Sequence, residues 1–135
     1  MTSKLLLDTN TLGVLVRARS HQADARLRSH DPESIFISAV TEGEILFGIA
    51  KSSEATRIAA GMRAVLAKFA ILPWTSQTAT AYGTLRAELN RRGISLGALD
   101  MMIAAQAYEI GAILVTSDMA FRNIPQLRVE DWLQA

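Results

Sequence analysis

Four of the 13 acidic residues, Asp8, Asp100, Asp118 and Glu44, differ from the rest in their setting, although Glu44 taken alone reads as a solvated helix residue. Asp8 directly follows Leu5-Leu6-Leu7, which is apolar at every position and reads as a strand buried on both faces. Asp118 repeats the pattern behind Ala112-Ile113-Leu114-Val115-Thr116-Ser117. In open α/β sheets, ligands bind at the carboxyl ends of the strands, where both acids would lie. Each also has a plainer reading, as the cap of the helix that follows. If the two strands are neighbours, both carboxylates point into one crevice. Asp100 opens a helix, and its 3- and 4-spaced partners are Ile103, Ala104 and Ala107, so it shares a stripe with core residues. The helix dipole accounts for an acid in the first turn but not for an acid on the apolar face. A carboxylate there needs a partner, a raised pKa or a cation. Glu44 and Glu42 form an ambiguous pair, roughly 200° apart around one helix, so only one of them can face inward. Their apolar neighbours, Ile45 and Leu46 for Glu42 and Val40 and Phe47 for Glu44, leave the choice open. The other acids fall on polar helix faces or near helix starts (Asp24, Glu54, Glu88, Glu109) or in turns and the tail (Asp31, Glu33, Glu130, Asp131).

No basic side chain is an obvious partner for the four. Lys4 is at the wrong end of its strand, and His21 and His30 lie in a polar segment. Carboxylates gathered without Arg or Lys repel one another, and a divalent cation is the usual resolution. All-oxygen ligands suit Mg²⁺ or Mn²⁺ rather than zinc. Such a site can activate water and stabilise phosphoryl oxygens, the chemistry of phosphodiester hydrolysis.

The elements that must carry these residues are short. After the strand 5–7, a helix starts at Thr9 or Asn10 and turns Leu12, Leu15 and Val16 inward. A polar, Arg-rich helix is predicted over 23–29, a turn at Asp31-Pro32 and a second strand over 35–38. The helix predicted over 39–51 has Val40, Phe47 and Gly48 near one face. A clean amphipathic helix over 54–69 carries Ile58, Met62, Val65, Leu66 and Phe69 at helical spacing. A third strand is predicted over 71–74. A helix over 78–92 rests on Tyr82, Leu85 and Leu89 and is stopped by Gly93. A helix over 99–110 ends at Gly111. A fourth strand over 112–115, a loop with a short helix over 116–122 and an edge strand at Val129 complete the chain. Short buried strands alternating with helices imply a mostly parallel sheet covered on both faces, a three-layer α/β/α fold.

Composition agrees. A chain of 135 residues reads as one domain, 1–135, able to bury a core without staples. The absence of cysteine excludes thiol nucleophiles, cysteine-based metal sites and redox motifs. With 50% hydrophobic and 20% charged residues the chain is not disordered, and 21 alanines against 3 prolines favour helix. A net charge of +1 neither demands nor excludes a nucleic acid. The basic residues are skewed, with 11 Arg against 3 Lys, and Arg is the better bidentate phosphate ligand. No run reaches the roughly 18 apolar residues of a membrane span, so no membrane role is expected. Residues 1–8 lack the core of an export signal, which points to the cytoplasm.

Four stretches together carry a family resemblance. They are Leu7-Asp8-Thr9-Asn10; Ile37-Ser38-Ala39-Val40-Thr41-Glu42-Gly43-Glu44-Ile45 with Gly48; Gly97-Ala98-Leu99-Asp100-Met101-Met102-Ile103-Ala104; and Leu114-Val115-Thr116-Ser117-Asp118. In this order and at these distances they resemble a PIN domain, and more closely a VapC-type toxin of a bacterial toxin–antitoxin pair. Residues 82–93 and the close at Glu130-Asp131-Trp132 resemble the same family.

The resemblance implies a Mg²⁺- or Mn²⁺-dependent endoribonuclease in which Asp8, Glu44, Asp100 and Asp118 are catalytic. It implies that Asp8, Asp100 and Asp118 hold the metal, with Asp118 a direct or water-mediated ligand. It selects Glu44 over Glu42, and Asn10 and Thr116 match supporting polar positions. It also implies a homodimer and a small antitoxin. The antitoxin's carboxyl-terminal segment covers the site, and its amino-terminal part dimerises and binds operator DNA, so that the toxin meets DNA only through it. Arg17, Arg19, Arg86, Arg91 and Arg92 are the candidates to position RNA, each with a solvated surface role as its plainer alternative. Two rival readings are a degenerate PIN scaffold that binds RNA or protein without cutting, and a phosphatase with Asp8 as nucleophile. The first would usually have lost some of the acids, and the second wants an acid where Asn10 stands.

Overall fold

The computed structural model describes residues 3–53 and 55–134. Five short strands form one sheet in the order β3-β2-β1-β4-β5, and every neighbouring pair is parallel. They are β1 (Leu5–Leu7), β2 (Ile35–Ser38), β3 (Ala70–Leu72), β4 (Ile113–Val115) and β5 (Val129–Glu130). The helices are α1 (Thr9–Val16), α2 (His21–Arg28), α3 (Ala39–Ala50), α4 (Ala55–Leu66), α5 (Ser76–Arg91) and α6 (Ala98–Ile110). Two 3-10 turns, Pro32–Ser34 and Met119–Asn123, complete the described elements.

The unbroken apolar run of β1 is divided by the pleat. Leu5 and Leu7 enter one core with Leu12, Leu15, Ile45, Ile58, Met62 and Trp132, under α1 to α4. Leu6 enters the other, with Leu85, Leu89, Ile103, Leu114 and Phe121, under α5 and α6. A strand walled by helices on both faces has no polar face to alternate with, so it reads apolar throughout. This is the α/β/α fold expected.

Boundaries differ by a few residues, each for a local reason. The second helix starts at His21 because Ser20 caps it, its side chain accepting from the Ala23 N–H at 3.1 Å. The fifth starts at Ser76, behind a reciprocal capping box between Thr75 and Thr78. The third strand covers Ala70–Leu72 and ends before Pro73, which has no N–H to give a ladder. The turn at Asp31-Pro32 is the start of a 3-10 turn, with Asp31 accepting from the Glu33 N–H. Glu54, the expected first residue of the fourth helix, lies outside the described residues. One expectation about a face fails. Phe47 is 61% exposed and Leu46 50%, while Thr41 and Ile45 form the buried seam of α3. The exposed Phe47 ring lies under the Lys51 ammonium, 4.8 Å from its centroid. Gly111 ends α6 in a left-handed turn with φ 67°, a conformation open to glycine at no steric cost.

Among the described residues no helix is long and apolar enough to cross a membrane.

Candidate active site

The sheet order sets the site. From β1 the chain first adds β2 and β3 on one side, then returns to add β4 and β5 on the other. The order therefore reverses between β1 and β4, the position at which an open α/β sheet leaves a crevice beyond its carboxyl ends. Leu7 is paired with Val115, so Asp8 and the segment after β4 leave the sheet side by side. The Asp8 N–H donates to the Val115 carbonyl at 3.0 Å, which extends the ladder to the edge of the crevice.

Asp8, Asp100 and Asp118 line one pocket of about 320 Å³, together with Thr9, Asn10, Ser117 and Phe121. The two capping alternatives are also realised. Asp8 caps α1 by accepting from the Thr11 N–H at 2.8 Å, and Asp118 caps the turn at Met119–Asn123 by accepting from the Ala120 N–H at 2.9 Å. A carboxylate has two oxygens and about four acceptor positions, so a cap leaves capacity for a ligand. Capping and site roles, weighed as alternatives in the sequence, coexist here.

The electrostatics is that of acids without cations. Asp8 is 5% exposed. Burial pushes its carboxyl above the ordinary value, hydrogen bonds from Thr116 and Thr11 oppose the shift, and the charge of Asp118 adds to it. Asp100 is half-buried in the first turn of α6. Its carboxyl is also pushed up, first by burial and then by Asp118 and Asp8. Among the described residues no Lys, Arg or His forms an ion pair with any of the three; the pairs present are Arg26–Glu130, Arg91–Glu88 and Arg92–Glu88. Nor, among the described residues, do three carboxylates or imidazoles converge tightly enough to hold an ion as they stand. Oxygen-only donors, no competing cation and carboxyls held above their usual pKa together fit a hard divalent ion.

Glu44 is not among the residues that line this pocket. Both Glu42 and Glu44 are half-buried, one on each side of the Thr41–Ile45 seam. Helical geometry separates them. Glu44 lies about 40° around the axis from Val40, and Glu42 about 20° from Ile49. Val40 packs into the core beneath α6, and Ile49 into the core beneath α1 and α4. Glu44 is therefore the acid on the side of α3 that turns toward the helix of Asp100. Thr9 of the pocket also reaches α3, its hydroxyl donating to the Thr41 hydroxyl at 3.4 Å.

Of the supporting positions, Asn10 lines the pocket and is exposed, whereas Thr116 is fully buried behind it. Thr116 hydrogen-bonds Asp8 and accepts the Asp118 N–H at 3.0 Å. Sequence reasoning missed Ser117 and its anchor. The Ser117 hydroxyl on the pocket wall donates to Asp131 at 2.6 Å, and Asp131 also accepts the Leu133 N–H at 2.9 Å. An acid of the tail thus fixes one wall of the site. Its only trace in the sequence was the Glu130-Asp131-Trp132 stretch.

Comparison with known proteins agrees with this architecture. A family model described as PIN domain matches residues 5–127. A relative from Salmonella typhimurium, named tRNA(fMet)-specific endonuclease VapC, is 32% identical over 130 residues, covering 96% of this chain and 98% of the relative. Ribonuclease VapC2 of Haemophilus influenzae is 30% identical over 131 residues, with 96% and 98% covered. Among solved structures, DNA-bound VapBC from Salmonella typhimurium superposes with a TM-score of 0.87 at 32% identity, over 96% of this chain and 98% of that one. VapBC2 from Rickettsia felis, bound to a DNA fragment from its promoter, gives 0.86 at 27% identity, over 95% and 98%. With the sheet, the crevice at β1 and β4 and these matches in agreement, the chain belongs to the PIN domain family, among its VapC members.

Proposed function

We propose that this protein is a divalent-metal-dependent endoribonuclease and the toxin of a toxin–antitoxin pair. The observation that carries the reading is the pocket that Asp8, Asp100 and Asp118 line together at the switch point of the sheet, with no basic side chain among the described residues paired to any of them. In this reading Asp8 and Asp100 hold Mg²⁺ or Mn²⁺, and Asp118 completes the set directly or through water. When bound, the ion supplies Lewis-acid polarisation of the scissile phosphate and a lowered pKa for water. Hydrogen bonds from Thr116 and the Thr11 N–H orient Asp8 and favour its ionised form against the burial that opposes it. Asp118 is held by its cap at Ala120, and Asn10 offers an amide to the substrate from the pocket wall. Glu44, on the α6 side of α3, orients the attacking water or accepts its proton.

The Salmonella relative's name specifies an initiator transfer RNA, so tRNA(fMet) is the first substrate to test. Relatives solved as VapBC complexes on DNA support a small antitoxin as partner, with operator DNA met through it. A toxin homodimer and a cytoplasmic location belong to the same proposal. The test is incubation of the purified chain with tRNA(fMet) and a bulk RNA, with Mn²⁺, with Mg²⁺ and with chelator. Metal-dependent internal cleavage by the wild type and none by Asp100→Asn supports the reading. Binding of RNA without cleavage at any metal concentration would instead select the non-cutting scaffold.

A further inference from the structure

The sequence offered five arginines as RNA ligands, and the structure sorts them. Arg91 and Arg92 are committed to Glu88, at 2.9 Å and 3.3 Å. Arg86 donates to the Tyr82 hydroxyl at 2.6 Å, along its own helix. Arg17 and Arg19 differ. They line a cleft of about 190 Å³ whose other walls include Thr9, Asn10 and Gly13. Thr9 and Asn10 also line the acidic pocket, so the two cavities lie side by side and share a wall.

The arginines are placed by the backbone. The Arg17 guanidinium folds back along α1 and donates to the Gly13 carbonyl at 3.2 Å. A Cβ on Gly13 would come within 3.0 Å of that guanidinium nitrogen, so the glycine makes its seat. Gly13 is five residues beyond Asp8, or about 7.5 Å along the helix axis. Between the two arginines Ala18 takes φ 52°, a left-handed turn that costs an L-residue roughly 1–2 kcal/mol. The turn ends α1 and brings Arg19 back to the same cleft as Arg17. Among the described residues no carboxylate pairs with either arginine, and no acid lines the cleft. Each guanidinium has five N–H donors, and Arg17 gives one to Gly13, so most remain available to an anion.

We infer that this cleft seats a backbone phosphate of the RNA substrate adjacent to the one that is cut, with Arg17 and Arg19 as its ligands. The inference rests on the nuclease reading above. It adds the direction in which the strand leaves the acidic pocket, along α1 toward its carboxyl end. Arg17 and Arg19 are positioning residues that bind and register the strand.

The test separates binding from cutting. A fluorescein-labelled single-stranded oligoribonucleotide is titrated with the metal-free wild-type chain, with Arg17→Ala/Arg19→Ala, and with Arg57→Ala, which removes one exposed charge from α4. Each is measured over a series of salt concentrations, with thermal melts as a check of folding. The salt slope of binding should fall by about 0.7 in the double variant, because the two arginines together neutralise one phosphate of a single strand. It should be unchanged in Arg57→Ala. In cleavage assays with Mn²⁺ the double variant should raise KM with little change in kcat. Gly13→Ala, which keeps both charges but displaces the Arg17 seat, should raise KM as well. A slope and a KM equal to wild type in the double variant would overturn the inference, as would an equal loss in Arg57→Ala. Failure of the wild type to cleave any RNA would sink the nuclease reading, while the salt slope would still decide the phosphate seat. Unchanged RNA binding with loss of antitoxin binding would assign the cleft to the protein partner and reject the inference.

Discussion

The hydroxyl of Thr116 joins Asp8 to Asp118: it hydrogen-bonds the Asp8 carboxyl and accepts the backbone N–H of Asp118 at 3.0 Å. The residue is fully buried, so neither bond can be replaced readily by bulk water. Thr116→Val keeps the shape and removes the hydroxyl. Loss of a hydrogen bond to a charged group should cost about 1.5–3 kcal/mol, read by urea unfolding at neutral pH. The bond lowers the pKa of Asp8, so its loss should also move the pH profile of metal binding upward. A variant with wild-type stability and an unmoved profile would show that the hydroxyl does not hold the carboxylate.

The shifts on Asp8 and Asp100 have a definite sign. Both carboxyls hold their protons to higher pH in the folded chain than in the unfolded one. Their contribution to stability is fully present below the unfolded pKa, about 3.9 for Asp, and is lost as pH rises through the raised folded values. Metal-free Asp100→Asn should therefore be as stable as wild type in acid and more stable at neutral pH. Denaturant midpoints across this range would read the difference. A difference that did not grow with pH would contradict the proposed crowding of the acids.

Divalent ions should reverse that penalty. An ion that binds only the native state stabilises it by about 2.7 kcal/mol at a hundred times its Kd. Mg²⁺ and Mn²⁺ should raise the Tm of the wild type, chelator should abolish the gain, and Asp100→Asn should not respond. The gain should shrink on acidification, because protons compete for Asp8 and Asp100. A Tm indifferent to both ions at millimolar concentration would count against the metal site.

Cleavage should track the acids unequally. Loss of even an outer partner of a metal site commonly costs 10–100-fold in affinity or activity. Asp100→Asn should accordingly lose more than about a hundredfold in RNA cleavage. Glu44→Gln should lower kcat while leaving RNA binding intact, and Glu42→Gln should change neither. The reverse order for the two glutamates would show that Glu42, and not Glu44, is the inward acid of α3. Expressed without an antitoxin, the wild type should arrest bacterial growth and Asp100→Asn should not.

Gly61 marks where α4 crosses α1. A Cβ there would fall onto the backbone carbonyl of Val16, which no side-chain rotation can move aside. Gly61→Ala should destabilise by about 1–3 kcal/mol, the usual cost of overpacking, and lower the Tm. A wild-type Tm would mean that the two helices are free to separate.

Much of this protein was legible in its sequence, because short-range chemistry decided it. Leu5-Leu6-Leu7 had to be a strand walled on both sides, since no polar face alternates with its leucines. Gly111 had to end a helix, and Asp8 directly behind β1 and Asp118 shortly past β4 had to stand at the sheet's carboxyl edge. What the sequence left open turned on neighbours far along the chain. Whether Asp8 and Asp118 share a crevice depends on β1 lying beside β4, a pairing between Leu7 and Val115 that no local pattern encodes. The two sides of α3 look alike in sequence, and only packing shows that the side of Glu44 and Val40 faces the core under α6 while the side of Glu42 and Ile49 faces the core under α1 and α4. Phe47, placed by the sequence near one face of α3 with Val40 and Gly48, is exposed, because Thr41 and Ile45 took the buried seam. Asp131 holds Ser117 from 14 residues away, and Arg17 and Arg19 meet in one cleft through the backbone turn at Ala18. Periodicity and capping act within a few residues and can be read from their order; the meeting of distant side chains is decided by the folded sheet.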